Sequence, residues 1–316
     1  MAVSPTYGGG IAGDDYVPTT ISELGEMIGK IAYAVLWDNT AINHLSIFNK
    51  GKIDNGDTIE QAVVEMAESL AYDEDGATTL DRETTTKLAV KYFKNWTRKV
   101  FKKTIDVPQL RLVLEGNKDA SDVAAKIVSS MTEGEVQEEY ENLRDLLLWG
   151  RQVADGGTGA SLVKFSTVNY DAINDSIDYN GVLKAIKNAV KGMTFVNDDF
   201  NTISLKRRTR KEDIVIVAPY QLITDLDVDS LASFFNLDKA EIKDRIIEVD
   251  TGKDASGFYD VFIVDRHAVL EYTRIYEMVN QLNAEGLFWN YYLHVSRLFA
   301  LCPLFDACYV RVATQE

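Results

Sequence analysis

The sequence predicts an α+β protein in which early and late segments flank a compact insert of alternating helices and short strands. Three observations predict it. Residues 119–153 carry apolar side chains at helical spacing over the longest such stretch in the chain. From about residue 173, helical patterns alternate with apolar runs of four or five residues. Near residue 290 the pattern becomes strict alternation, and a short strand-like run follows at 307–313.

Taken in order, residues 1–18 lack periodicity and hold Gly8-Gly9-Gly10, which predicts a mobile arm. Thr20 with Glu23 forms a capping box, and Leu24, Ile28, Ile31 and Val35 share one helix face. Thr58 with Gln61, then Ile59, Val63, Met66 and Leu70, fits a short amphipathic helix. Residues 88–107, rich in Val, Tyr, Phe, Trp and Thr, favour strand. Asp106 precedes a short helix through Leu110 and Leu114, which Gly116 stops.

Within 119–153, Val123, Ile127, Val128 and Met131 make one face. Thr132 and Glu135 give another capping box before Val136, Tyr140, Leu143 and Leu147. Two helices or one kinked rod both fit. The stretch ends at Asp155-Gly156-Gly157.

Beyond residue 173, helices are predicted at 179–192, 219–226, 229–235 and 239–244, and strands at 214–217, 246–249 and 259–264. Leu287, Trp289, Tyr291, Leu293 and Val295 then point one way, while Asn290, Tyr292, His294 and Ser296 point the other.

Composition bounds the function. The 316 residues are 46% hydrophobic and 26% charged, with formal net charge -16. Such a field repels phosphate backbones and disfavours a sequence-reading nucleic-acid binder. Only Cys302 and Cys308 occur, so a disulfide scaffold and a thiolate zinc site are disfavoured. No apolar run reaches the length of a membrane span, and a soluble protein made in a reducing cytoplasm is expected.

The chemistry-bearing motifs are incomplete. Gly8-Gly9-Gly10 lacks the Lys-Ser/Thr of a P-loop, and Asp225, Asp227 and Asp229 lack the Gly and bidentate Glu of a calcium loop. His44, His267 and His294 have no metal-binding spacing, and Asp265-Arg266-His267 has no nucleophile elbow beside it. No catalytic, cofactor or metal residue is therefore assigned, and the two cysteines are expected to pack as small buried hydrophobes.

Charge distribution is more informative. Residues 53–75 hold eight acidic side chains, among them Asp54, Asp57, Glu60, Glu65 and Glu68, and no Lys or Arg. Residues 82–111 hold nine basic ones, among them Lys87, Lys91, Lys94, Arg98, Lys99, Lys102 and Lys103, against two acidic. Interleaved with Tyr92, Phe93, Trp96 and Phe101, the basic run could bind single-stranded nucleic acid, form an ordinary solvated face, or dock on acidic protein surface. Docking between copies is favoured, because each copy carries both halves and a head-to-tail contact closes rings or extends lattices.

Residues 286–310, GLFWNYYLHVSRLFALCPLFDACYV, resemble the closing segment of tailed-phage major capsid proteins of the Hong Kong 97 type, in the group of small short-tailed phages. Residues 87–114 resemble that family's basic, aromatic loop strand running into Thr104-Ile105-Asp106 and Gln109-Leu110-Arg111. Residues 214–265 resemble its axial-domain pattern, including Leu231, Phe234, Asn236 and Asp238-Lys239.

The resemblance implies a Hong Kong 97-like capsid fold. It would comprise an N-terminal arm and helix (1–51), an extended loop (52–107), a peripheral domain (108–172, closed by 286–316) and an axial α/β domain (173–285). It further implies hexameric and pentameric capsomers of this chain forming a virion head around double-stranded DNA, assembled in the bacterial cytoplasm with a scaffolding protein and a portal. Some family members crosslink a loop Lys to a neighbour's Asn. Here Lys99, Lys102 or Lys103 and Asn290 stand at such places, and the carboxylate that the reaction needs is not marked in the sequence. Two other readings stay open at this point: an encapsulin-like nanocompartment shell, and an acidic α/β enzyme with a carboxylate site.

Overall fold

The computed structural model describes residues 40–54, 56–67, 69, 74, 88–106, 120–154, 162–171, 176–225, 246–253 and 257–313. The expected arm, the helix from Thr20, the short helix after Asp106 and the helices at 229–235 and 239–244 lie outside the described residues. Two compact units are built from interleaved pieces of chain. The smaller draws on Met1–Asn43, Thr97–Glu139 and Thr273–Arg297, the larger on His44–Trp96, Tyr140–Tyr272 and Leu298–Glu316.

The larger unit centres on a five-stranded sheet of β5 (Val163–Val168), β13 (Ala307–Ala313), β10 (Phe258–Asp265), β8 (Ile214–Pro219) and β9 (Ile246–Val249), in that spatial order. Strands β13 and β8 flank β10 antiparallel, with Phe262 opposite both Tyr309 and Val217. The two outer strands pair parallel, β5 with β13 and β9 with β8.

Every residue of β8 is buried, because both sheet faces are covered. On one face Ile214, Ile216 and Ala218 share a core with Val182, Ile186 and Val190 of helix α2 (Tyr179–Thr194). On the other, Val215 and Val217 share a core with Leu143 and Leu147 from the second half of helix α1 (Ala120–Ala154). Asp178 caps α2 by accepting from the Gly181 amide at 2.9 Å. The third described helix, α3, is the short Tyr220–Asp225.

Those expected strands and helices of this unit that fall on described residues are present within one or two residues of their predicted ends. One expectation is overturned. The acidic half, predicted as a helix from Thr58 through Leu70, forms strand β2 (Ile59–Val64), paired antiparallel with β3 (Leu88–Phe93). Ile59 lies opposite Phe93 and Val63 opposite Ala89, and this face packs on Leu270, Leu298 and Leu304. Ile59 and Val63 are four residues apart, an even spacing that keeps them on one side of a strand as readily as of a helix.

In the smaller unit β4 (Thr97–Asp106) pairs antiparallel with β12 (Phe288–Leu301), from Phe288 opposite Asp106 to Arg297 opposite Thr97. The order of its sheet is β1 (Asn49–Lys52, a strand of the larger unit), β11 (Val269–Asn283), β12, β4, and β11 and β12 contribute residues to both units. Leu293 and Val295 meet Met131 of α1, so the predicted alternation of β12 holds there. It fails at both ends. Leu287 lies exposed in the turn before the strand, and Ser296 is buried along with Val295.

Helix α1 itself runs unbroken through Thr132 and Glu135, which rules out two separate helices there.

Candidate functional site

The charge-split segment is the candidate site, and strand geometry decides what each charge does. Asp54 and Asp57 stand exposed in the β1–β2 turn, where the Asp57 amide meets the Asp54 carbonyl at 3.4 Å. Glu60 is exposed on β2 opposite Tyr92, and Glu65 follows the strand, half-buried. Lys91 is exposed on β3 opposite Gln61, and Lys94 is exposed in the β3–β4 connection. Glu68 and Lys87 lie outside the described residues.

The basic residues of β4 do not form one stripe. Alternation sends Lys99 and Lys103 to the side of Phe101 and Ile105, which faces α1, and there Lys99 pairs with Glu138. Arg98 and Lys102 occupy the opposite face. Lys102 lies opposite Tyr292 with its ammonium 5.5 Å from the ring centroid, and the Tyr292 and His294 rings stack at 6.2 Å. On the same face the Thr104 hydroxyl donates to Asn290 Oδ1 at 2.7 Å. The open face of this ladder therefore combines two cations with aromatic and amide groups, a surface suited to carboxylates.

The outward face of the β2–β3 hairpin is largely apolar, with Glu60 as its charged residue. Val64 opposite Leu88 and Ala62 opposite Val90 are exposed, with Val64 and Leu88 each 61% accessible. Tyr92 extends the strip. A hairpin that turns one apolar face inward and another outward presents the kind of surface that interfaces cover.

Sequence reasoning missed the buried charges that fix the frame. In the smaller unit Arg297 bonds both Glu135 and Glu139, the latter at 2.6 Å. Burial holds the Glu135 carboxyl above its usual range, and the Arg297 guanidinium works against that shift. In the larger unit Arg151 and Arg311 converge on Asp260 at 2.8 and 3.3 Å. Arg207 reaches Asp265 at 3.0 Å, and Thr209 donates to Asp306 at 2.7 Å. One local signal existed for the first cluster: Glu135 and Glu139 are four apart on a helix, a repulsive pair unless a cation lies between them.

Cys302 and Cys308 are buried free thiols, as expected. Burial pushes Cys302 up to about 11 and raises Cys308 as well, which keeps both unreactive. His267 Nδ1 lies 2.9 Å from Asp265 Oδ1. Among the described residues no group of three or more His, Cys, Asp or Glu side chains is placed to hold a metal ion, and no helix is long and apolar enough to cross a membrane.

The fold and this surface point to a class, the coat proteins of phage heads, and comparison with known proteins narrows it. The model of the family described as Phi29-like phage major capsid protein matches residues 12–311, and the chain belongs to that family. The major capsid protein of Bacillus phage GA-1 is 28% identical over 272 residues, covering 85% of this chain and 56% of that protein. That of Streptococcus phage Cp-1 is 21% identical, covering 85% and 76%. The chain thus spans little more than half the length of its GA-1 relative. The capsid structure of Staphylococcus phage Andhra superposes with a TM-score of 0.71 at 13% identity, over 91% of this chain and 88% of that one. The fold is accordingly that of the Hong Kong 97-type capsid proteins.

Proposed function

We propose that this chain is the shell-forming subunit of a tailed-phage head, with a structural and not a catalytic role. The observation that carries the reading is the family match across residues 12–311 on a capsid-type fold. In this reading copies of the chain group into hexamers and pentamers that enclose double-stranded DNA without reading its sequence, and the virion is the protein's destination. Assembly takes place in the host cytoplasm with a separate scaffolding protein and a portal. The arm (1–51), extended loop (52–107), peripheral domain (108–172 and 286–316) and axial domain (173–285) are the corresponding parts.

Contact between copies runs through the extended loop. Its acidic turn at Asp54 and Asp57 offers carboxylates to the Arg98–Lys102 face of a neighbour, while the apolar strip of Val64, Leu88, Val90 and Tyr92 supplies buried area. Hydrophobic burial gives such a contact its affinity, and the charges set its register. Negative-stain imaging of the protein co-expressed with candidate scaffolds tests the reading. Closed shells support it. A solitary protein under every salt and scaffold condition overturns it.

A further inference from the structure

Away from the charge-split loop, residues 179–211 invert the sign of the chain. They hold eight basic residues and two acidic ones in a protein of formal charge -16. The structure gives this segment a shape. Helix α2 buries Val182, Ala185, Ile186, Ala189, Val190 and Met193 against the sheet and carries no acidic residue of its own. Lys184, Lys187 and Lys191 fall within about 60° of one another on the outward side at 100° per residue.

The segment at 206–210 is fastened to the C-terminal end of this helix. Asn197 and Arg207 exchange backbone hydrogen bonds at 3.0 and 3.1 Å, and the Thr209 amide donates to the Met193 carbonyl at 2.8 Å. Alternation along it turns Arg207 and Thr209 inward to Asp265 and Asp306, and leaves Lys206, Arg208 and Arg210 exposed. Arg208 is bracketed by the two backbone contacts, which extends the lysine stripe past the helix end.

Apolar side chains stand within this surface, beside the exposed Asp198 and Asp199. Phe195 and Val196 follow α2 directly and are 71% and 50% exposed, and Ile203 is exposed in the turn between Asn197 and Arg207. A phosphate backbone has no use for an exposed Phe, whereas a protein interface of apolar anchors inside a charged rim does.

We propose that the outward face of α2 with residues 195–210 is a docking surface for an acidic amphipathic helix of a different protein. The described part of the chain's own acidic segment does not fit the role, since it forms a turn at Asp54 and Asp57 and a strand, Ile59–Val64, that directs Ile59 and Val63 into its own core. This inference does not depend on the shell reading.

Fluorescence anisotropy on the full chain tests it with two labelled probes, a 20-residue amphipathic Glu/Leu helical peptide and a 25-base-pair duplex DNA. The peptide is expected to bind more tightly than the duplex, and to weaken at least tenfold in K184E/K187E/K191E/R208E and severalfold in Phe195→Ser. Far-UV circular dichroism checks that each variant is folded, and the single variants K191E and F195S carry the comparison if the quadruple variant is not. Tighter binding of the duplex, peptide binding indifferent to these substitutions, or no binding of either probe overturns the proposal.

Discussion

Arg297 on β12 reaches Glu139 on α1 at 2.6 Å, with both side chains almost fully buried. The same guanidinium also holds Glu135, so one cation compensates two carboxylates one helical turn apart. Removing it takes that compensation from both. Replacing Arg297 with Ala should lower unfolding stability by about 3–5 kcal/mol, the usual cost of an orphaned buried charge. Urea denaturation of the unassembled chain measures this. The triple replacement R297M/E135Q/E139Q should recover much of the loss, since neutral groups carry no such penalty, and a triple variant as unstable as R297A would contradict the assignment.

Two carboxylates should respond to pH with opposite signs. Asp250 is held below its ordinary value, chiefly by the Tyr140 hydroxyl that donates to it at 2.5 Å, and also by Arg144. Its contribution is complete above the ordinary Asp value of about 3.9 and is lost as pH falls through the depressed one. Glu135 is raised by burial, so it favours the folded state at low pH, and that contribution disappears as pH rises through its elevated value. Asp250→Asn should therefore flatten the acid limb of a urea-midpoint profile, and Glu135→Gln should flatten the part just above the usual carboxylate range. An unchanged profile in either variant would refute the corresponding shift.

Gly150 sets helix propensity against packing. Alanine in mid-helix gains about 1 kcal/mol over glycine. Here, however, a Cβ would stand 2.4 Å from Leu301 Cδ1 and 2.9 Å from Leu162 Cδ1, both in the core on that face of the sheet. Overpacking of this kind costs about 1–3 kcal/mol, so Gly150→Ala should destabilise on balance. A higher melting temperature for G150A would show that the leucines yield freely.

Charge reversal probes the loop. K94E/R98E/K102E should block assembly while the unassembled chain stays folded, because Lys94 is exposed and Arg98 and Lys102 lie on the open face of β4. Assembly of the native chain should weaken between low and high salt, as screening predicts for exposed pairs. Light scattering follows both. Normal shells from the triple variant would remove the electrostatic part of the docking scheme.

What was legible in the sequence is what local pattern encodes. Strands β8 and β10 announced themselves as apolar runs because both their faces are covered, and α2 through its apolar stripe. The Phe288-Trp289-Asn290-Tyr291 segment and its spacing to the closing strand carried the resemblance to the family. Strand β2 misled because Ile59 and Val63 satisfy either period, and only pairing with β3 decides between them. The capping box at Thr132 misled in a different way. Glu135 there is taken by Arg297, a partner 162 residues onward that no window of sequence contains. The other buried ion pairs were illegible for the same reason. Exposed charges such as those of β4 were visible as composition, but their division between two faces needed the strand.

The position of β13 has a consequence for biosynthesis. That strand sits between β5 and β10, so the largest sheet has a gap in its interior until residue 313 has been made. On the ribosome, β8, β9 and β10 can gather early, but β5 waits some 140 residues for its neighbour. Nascent chains must therefore hold an incomplete apolar layer until β13 has emerged, a period in which premature association with other copies is a hazard.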